Sequence, residues 1–399
     1  MQQDPDQINT VLTRGVAEVL PDKKGLAELM QQRKIRLYLG IDPTGGFLHL
    51  GHAVPLRKLQ QFAQLGHEVI LLVGNGTVKI GDPTGRDKSR PMLTDEQIEE
   101  NFKDWKHQAG KILDFDLIEI KRNADWLEEL SYSDMIKLLA KTTVQQLMER
   151  DMFQRRLENE QPIFGHEIIY PLIQGYDSVA MDVDLEIGGT DQTFNMMMGR
   201  TLQQVFNDKS KWVLTTPLIE GTDGRKMSKS FNNFVSLTAD PKDMYGKLMS
   251  IQDDLITRYF EVLTDVPMIE IEEMAQAMKN GANPLQYKKK LARTITTDLH
   301  HSEAAQQAEQ HFEKTVQQGE LPDEMTVIEL DQPRIQVLAL LNRCLPEESN
   351  SRLRRLVEQG AVRLMPDDNK LTDAYAEIEV KDGQVLKTGK RAYFQLKLA

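Results

Sequence analysis

Between residues 35 and about 220, short apolar β-rich runs alternate with segments of helical periodicity, the pattern of βαβ units around a parallel sheet. Ile35–Ile41 (IRLYLGI) predicts a first strand, Gly51–Leu65 an amphipathic helix stopped at Gly66, and Glu68–Val73 a second strand. Thr94 and Gln97 make a capping box before a helix of about twenty residues, and Leu117–Lys121 predicts a third strand. Residues 131–180 read as mostly helical, and Glu186–Asp191 as a strand-to-helix turn. Residues 240–317 carry helical periodicity broken at Pro267 and Pro284, followed by a polar linker at Gly319–Glu324. Beyond it the pattern predicts a helix over 351–360, then Ala376–Val380 and Gln384–Leu386 as strands flanking an Asp382–Gly383 hairpin turn.

A length of 399 residues implies two or three domains, and 40% apolar with 28% charged residues is the balance of an ordinary folded protein. A single cysteine excludes a disulfide scaffold and a multi-thiolate zinc site, and Cys344, in an apolar stretch, is expected to be a buried structural thiol. The N-terminus lacks a basic start and apolar run, and no stretch approaches the ~18 apolar residues of a membrane span, so a cytoplasmic protein without a membrane partner is expected. The net charge of −12 argues against indiscriminate nucleic-acid binding. Residues 334–399 nevertheless carry 12 lysines and arginines against 9 acids, a local +3 that leaves −15 on the rest.

Four segments carry residues suited to chemistry. His49-Leu50-Gly51-His52 follows a strand and opens a helix. Zinc needs three or four protein ligands and nothing nearby supplies the others, so no metal site is expected. A surface histidine pair and an anion site at a helix N-terminus both remain open. Asp223-Gly224-Arg225-Lys226-Met227-Ser228-Lys229-Ser230 is either a solvated basic loop or a loop that closes over polyphosphate. The glycine-rich stretch 74–86 fails the dinucleotide fingerprint, with lysine at 79, and fails the P-loop, with Arg-Asp-Lys at 86–88. In the apolar helix Ile168–Ala180, Tyr170, Gln174 and Asp177 stand at i, i+4 and i+7 on one face. Their partners are either an internal polar network or a polar ligand. Asp191, after two glycines and before a helix, is at least an N-cap candidate.

Together, an H-x-G-H element after the first strand and an intact K-M-S-K-S about 175 residues later resemble the class I aminoacyl-tRNA synthetases. The surrounding Tyr38–Thr44, Tyr170–Asp177 and Ile187–Gln192 segments are similar to those of the bacterial tyrosyl-tRNA synthetases. The resemblance covers nearly the whole chain. It implies an α/β fold: a Rossmann-like parallel-sheet catalytic domain over 1–235, an α-helical anticodon-recognition domain over 236–320, and a small α+β RNA-binding domain of ribosomal-protein type over 330–399. The implied activity joins tyrosine to tRNA(Tyr) through tyrosyl-adenylate, with ATP as substrate, Mg²⁺ accompanying it, and a homodimer as the assembly.

The resemblance also implies site residues. Tyr38 and Asp177 would bind the phenolic hydroxyl of tyrosine, Tyr170, Gln174 and Asp82 its ammonium group, and Gln192 its carboxylate, with Thr77 beside the pocket. Gly40, Asp42, Gly51, Gly189, Asp191 and Met227 would contact ATP, while His49, His52, Lys226 and Lys229 would stabilise the phosphate charge that grows during reaction. Arg86 and Arg90 would face pyrophosphate or the tRNA acceptor end, and Arg352, Arg354, Arg355, Lys387, Lys390 and Arg391 would meet tRNA. Glu186, where many relatives have glutamine, has no implied role. No editing domain is expected, because unpaired buried polar groups already reject phenylalanine. A tryptophanyl enzyme shares both motifs, but Tyr38, Asp177 and Gln174 argue against it. A non-catalytic RNA-binding paralogue should have lost a phosphate-contacting element, and both are complete.

Overall fold

The computed structural model describes residues 4–84, 93–317, 325–365, 367–389 and 392–398. It divides into two units, Met1–Ala239 with Ser250–His300, and Asp240–Met249 with His301–Ala399.

In the first unit six strands, β1 (Glu18–Leu20), β2 (Arg36–Ile41), β3 (Glu68–Val73), β4 (Ile118–Arg122), β5 (Leu185–Gly189) and β6 (Trp212–Thr216), form one sheet in the order β1-β6-β5-β2-β3-β4. All pairs are parallel except β1 with β6. The buried run of β3, Val69 through Val73, is what a parallel strand covered on both faces requires. Because β3 and β4 extend the sheet on one side of β2 and β5 and β6 on the other, a crevice opens at the carboxyl ends of β2 and β5.

Four helices position the site: α1 (Leu50–Gln64), α2 (Asp95–Ala109), α3 (Gly165–Met181) and α4 (Thr193–Asn207). The Thr94–Gln97 capping box closes in both directions, at 3.0 and 3.3 Å. Helix α2 runs for 15 residues rather than about twenty, because Gly110 caps it. Helices α3 and α4 approach through two glycines: a Cβ on Gly175 would stand 3.0 Å from the Gly199 nitrogen. Downstream, Pro267 caps helix Met268–Lys279 and Pro284 opens helix Pro284–Leu299, where the missing proline N–H costs nothing.

In the second unit, helices Pro241–Leu248 and Ser302–Phe312 meet through the rings of Tyr245 and Phe312, 5.7 Å apart. Seven strands follow: β7 (Thr326–Leu330), β8 (Arg334–Gln336), β9 (Val362–Met365), β10 (Asn369–Lys370), β11 (Glu377–Glu379), β12 (Val385–Thr388) and β13 (Ala392–Leu398). The expected hairpin about Asp382 and Gly383 does not form. β11 pairs with β8 through Glu377–Gln336 and Glu379–Arg334, whereas β12 lies between β9 and β13. Gly383, at φ 76°, donates its N–H to Leu396 instead, so the turn passes the chain from one sheet to the other. Val380 and Leu386 thereby enter one core with Leu340, Leu341 and Leu353 from the helices Val337–Cys344 and Asn350–Glu358. Cys344 is buried in that core, and burial pushes its thiol up to about 12. The expected linker at Gly319–Glu324 lies outside the described residues, as do Arg86, Arg90, Lys390 and Arg391. Among the described residues no helix is long and apolar enough to cross a membrane.

Candidate active site

A cavity of about 230 Å³ occupies the crevice, walled by the ends of β2, β3 and β5 and by α3. It gathers residues far apart in sequence: Tyr38, Gly40, Asp42, His52, Thr77, Asp82, Tyr170, Gln174, Asp177, Gly189 and Gln192 all line it. His49, Gly51, Asp191, Lys226, Met227 and Lys229 are not part of its wall.

At the buried end the Asp177 carboxylate accepts hydrogen bonds from Trp126 Nε1 at 2.9 Å and Asn123 Nδ2 at 3.2 Å. Burial raises its pKa well above the ordinary carboxylate value, and those two donors oppose the shift. Tyr38, fully buried, shares a hydrogen bond with Ser178 Oγ at 3.0 Å. Desolvation raises its pKa too, so the phenol keeps its proton. Asn123 also donates to Thr77 Oγ1 at 3.0 Å, and Thr77 donates to Asp42 at 2.7 Å. Tyr170 donates to the other Asp42 oxygen at 2.8 Å. Asp177, Asn123, Thr77, Asp42 and Tyr170 are thus one connected network, which joins residues expected at tyrosine to Asp42, expected at ATP. Gly74 makes room for it, since a Cβ there would lie 2.0 Å from Asp42 Oδ1. Beside it Gln192 donates to Asp82 at 2.8 Å, and Thr84 donates to the second Asp82 oxygen at 2.6 Å.

The histidines begin α1. His49 is its N-cap: Nδ1 accepts the Gly51 N–H at 3.1 Å, and Nδ1 of His52 accepts the His49 N–H at 3.2 Å. Desolvation lowers the pKa of His49 to about 2 and of His52 to about 4, with the charge of nearby Lys229 acting in the same direction on both. The rings are therefore neutral, and with each Nδ1 accepting, each proton sits on Nε2. The lysine loop is held by Asn233, whose Oδ1 accepts from the Ser228 N–H at 2.9 Å and whose Nδ2 donates to the Lys226 carbonyl at 3.1 Å. Lys226 donates to Asp191 at 2.8 Å, and the Lys229 ammonium stands 4.2 Å from the Phe47 ring centre.

Sequence reasoning missed several members of this site. Asn123, Trp126 and Asn233 hold its walls and loop through contacts that no local spacing announces. Glu186, left without a role, lines the cavity and forms a buried ion pair with Lys211, a residue not singled out at all. Burial lowers the Lys211 pKa, and the facing Glu186 carboxylate opposes that shift. Among the described residues no group of three or more His, Cys, Asp or Glu side chains could hold a metal ion. The arrangement offers a pocket with buried polar side chains for a small molecule at one end. At the other it offers neutral imidazole donors, ammonium groups and a helix N-terminus suited to phosphate.

The family described as tRNA synthetases class I (W and Y) matches residues 30–317. A tyrosine–tRNA ligase of Thermotoga maritima is 43% identical over 394 residues, covering 98% of each chain. A tyrosine–tRNA ligase 2 of Photorhabdus laumondii is 44% identical over 381 residues, covering 94% of each chain. Among solved structures, a C-terminally truncated mitochondrial tyrosyl-tRNA synthetase of Coccidioides posadasii superposes with a TM-score of 0.63 at 24% identity, over 78% of this chain and 92% of its own. At that identity the superposition bears on the fold alone.

Proposed function

The chain belongs to the class I tRNA synthetases of the W and Y family, and from that membership and the cavity we infer that it attaches tyrosine to tRNA at the expense of ATP. The observation that carries this reading is the network that runs from Asp177 through Asn123 and Thr77 to Asp42 and Tyr170, in a cavity that Tyr38 and His52 also line. Tyrosine lies with its hydroxyl at Tyr38 and Asp177, its ammonium at Tyr170, Gln174 and Asp82, and its carboxylate by Gln192. Thr77 completes the wall. The carboxylate, already ionised, attacks the α-phosphorus of ATP and pyrophosphate leaves; a terminal ribose hydroxyl of the tRNA then takes the tyrosyl group and AMP leaves. No protein nucleophile is needed, because alignment and charge stabilisation do most of the work in such displacements.

Gly40, Gly51, Gly189 and Met227 give ATP a close backbone approach, and Asp42 and Asp191 receive its ribose side. His49 and His52 donate Nε2–H to phosphate oxygens, and Lys226 and Lys229 meet the charge that grows toward the transition state, where such contacts act on rate. Mg²⁺ bound with ATP would supply further neutralisation of the phosphate charge, beside His49, His52, Lys226 and Lys229.

We assign anticodon recognition to residues 236–320 and general RNA contact to 330–399, where Arg352, Arg354 and Arg355 share helix Asn350–Glu358. A homodimer in the cytoplasm fits best, since Tyr132, Val144 and Leu157 are 83, 65 and 52% exposed on consecutive short helices. Incubating the protein with ATP, labelled tyrosine and tRNA tests the activity: label must appear on tRNA, and its absence with active ATP–pyrophosphate exchange would confine the function to adenylate formation.

A further inference from the structure

We propose that Glu186 and Lys211 are a positioning pair that determines which end of the Gln174 amide faces the substrate's amino group; the proposal rests on the reading of the cavity as a tyrosine site. Both side chains are buried, Lys211 completely and Glu186 to within 2%. An ionised carboxylate only accepts hydrogen bonds, so Gln174 must turn its NH₂ toward Glu186, as it does at 3.1 Å. Its carbonyl oxygen is then the end offered to the cavity, where a substrate ammonium, which only donates, finds an acceptor.

Lys211 makes that carboxylate tenable. A lone buried carboxylate is strongly disfavoured, and the ammonium beside it compensates the charge. The three ammonium hydrogens go to Glu186, to Ser178 Oγ at 2.7 Å and to the Met196 carbonyl at 3.2 Å. Gly199 leaves the space: a Cβ there would lie 2.5 Å from Lys211 Nζ.

Polarity therefore propagates along the row from Lys211 to Glu186 to Gln174 to substrate. In E186Q the ammonium, donor-only, draws the new amide's carbonyl toward itself, so its NH₂ meets Gln174. Gln174 must then reverse and present NH₂ to the substrate ammonium, donor against donor. Removing the ammonium as well, in E186Q/K211M, frees the new amide to turn and lets Gln174 return.

The test is tyrosine-dependent ATP–pyrophosphate exchange by the full-length protein, with the KM for tyrosine and for ATP determined separately and folding followed by thermal melting. E186Q is expected to raise the KM for tyrosine about 10-fold or more, the size of a lost hydrogen bond to a charged group, with the KM for ATP held within about two-fold. E186Q/K211M is expected to recover to within about three-fold of wild type, a rescue that a purely structural pair would not give. A KM within about two-fold of wild type in E186Q, or a double variant as impaired as the single, would overturn the proposal. Should E186Q fail to fold, K211Q decides: it leaves the Glu186 carboxylate an acceptor for the Gln174 NH₂ and must hold the KM for tyrosine within about three-fold, a 10-fold rise being contrary. Wild-type protein that shows no tyrosine-dependent exchange would instead refute the substrate reading itself.

Discussion

His52 Nδ1 accepts the backbone N–H of His49 at 3.2 Å, while His49 Nδ1 accepts that of Gly51 at 3.1 Å. This exchange caps α1 and at the same time fixes both rings as Nε2–H donors, so one arrangement serves the fold and the phosphate site.

The two roles can be separated by substitution. Asparagine is a strong N-cap, so H49N is expected to keep the stability of α1 while losing the reach of the imidazole. H49N and H52A should each lower the rate of adenylate formation about 10²–10³-fold, the usual loss for one transition-state donor, with tyrosine affinity nearly unchanged. Stopped-flow fluorescence measures both quantities; equal losses in binding with no loss in the chemical step would remove the histidines from the phosphates.

Neutral buried histidines also set an acid limit on stability. His52 and His67 are both lowered to about 4 by burial, and His49 to about 2. The unfolded chain takes up protons on these groups below its ordinary pKa of roughly 6.5, while the folded chain does not until about pH 4. Their contribution is therefore complete above about pH 6.5 and is lost as the pH falls toward 4, by up to ~1.4 kcal/mol per pH unit for each histidine. Denaturant melts at pH 7 and pH 5 should show this fall, and H67Q, distant from the phosphates, should show a shallower one. An identical slope in H67Q would contradict it.

Gly74 tests the network around Asp42. A methyl group there would meet Asp42 Oδ1 at 2.0 Å and Thr77 Oγ1 at 2.5 Å, so G74A must displace the carboxylate that holds Tyr170. Overpacking of about 1–3 kcal/mol translates into a loss of roughly 5–150-fold in kcat/KM for both tyrosine and ATP. A loss confined to one substrate would show that the two halves of the site are independent.

Local signals carried much of the fold. The runs that became β2 and β3, the Thr94–Gln97 box, and the histidine and lysine motifs were all legible, because each is a short-range pattern. What was hidden depends on distant partners. Asp177 meets Asn123 and Trp126 across more than fifty residues, and Lys211, one residue before β6, looks like a solvated charge until Glu186 is placed beside it. The Asp382–Gly383 turn misled for the same reason: its local chemistry is alike whether the flanking strands pair or part, and the pairing of β11 with Arg334–Gln336 decided the outcome.

Tyr132, Val144 and Leu157, exposed apolar side chains on consecutive short helices, are expected to be covered in a dimer. Light scattering should give twice the chain mass for wild type, and V144E/L157E should shift it toward one. A monomeric wild type would overturn the assignment.

The central claim is that this cavity selects tyrosine, and the most direct measurement is kcat/KM for ATP–pyrophosphate exchange with tyrosine, phenylalanine and tryptophan in turn. Phenylalanine leaves Tyr38 and Asp177 unpaired, and the expected rejection is the ~10⁴–10⁵-fold already characterised for a tyrosine-activating enzyme, falling sharply in D177A. Exchange that runs as well with phenylalanine or tryptophan, or a preference unchanged in D177A, would contradict the account.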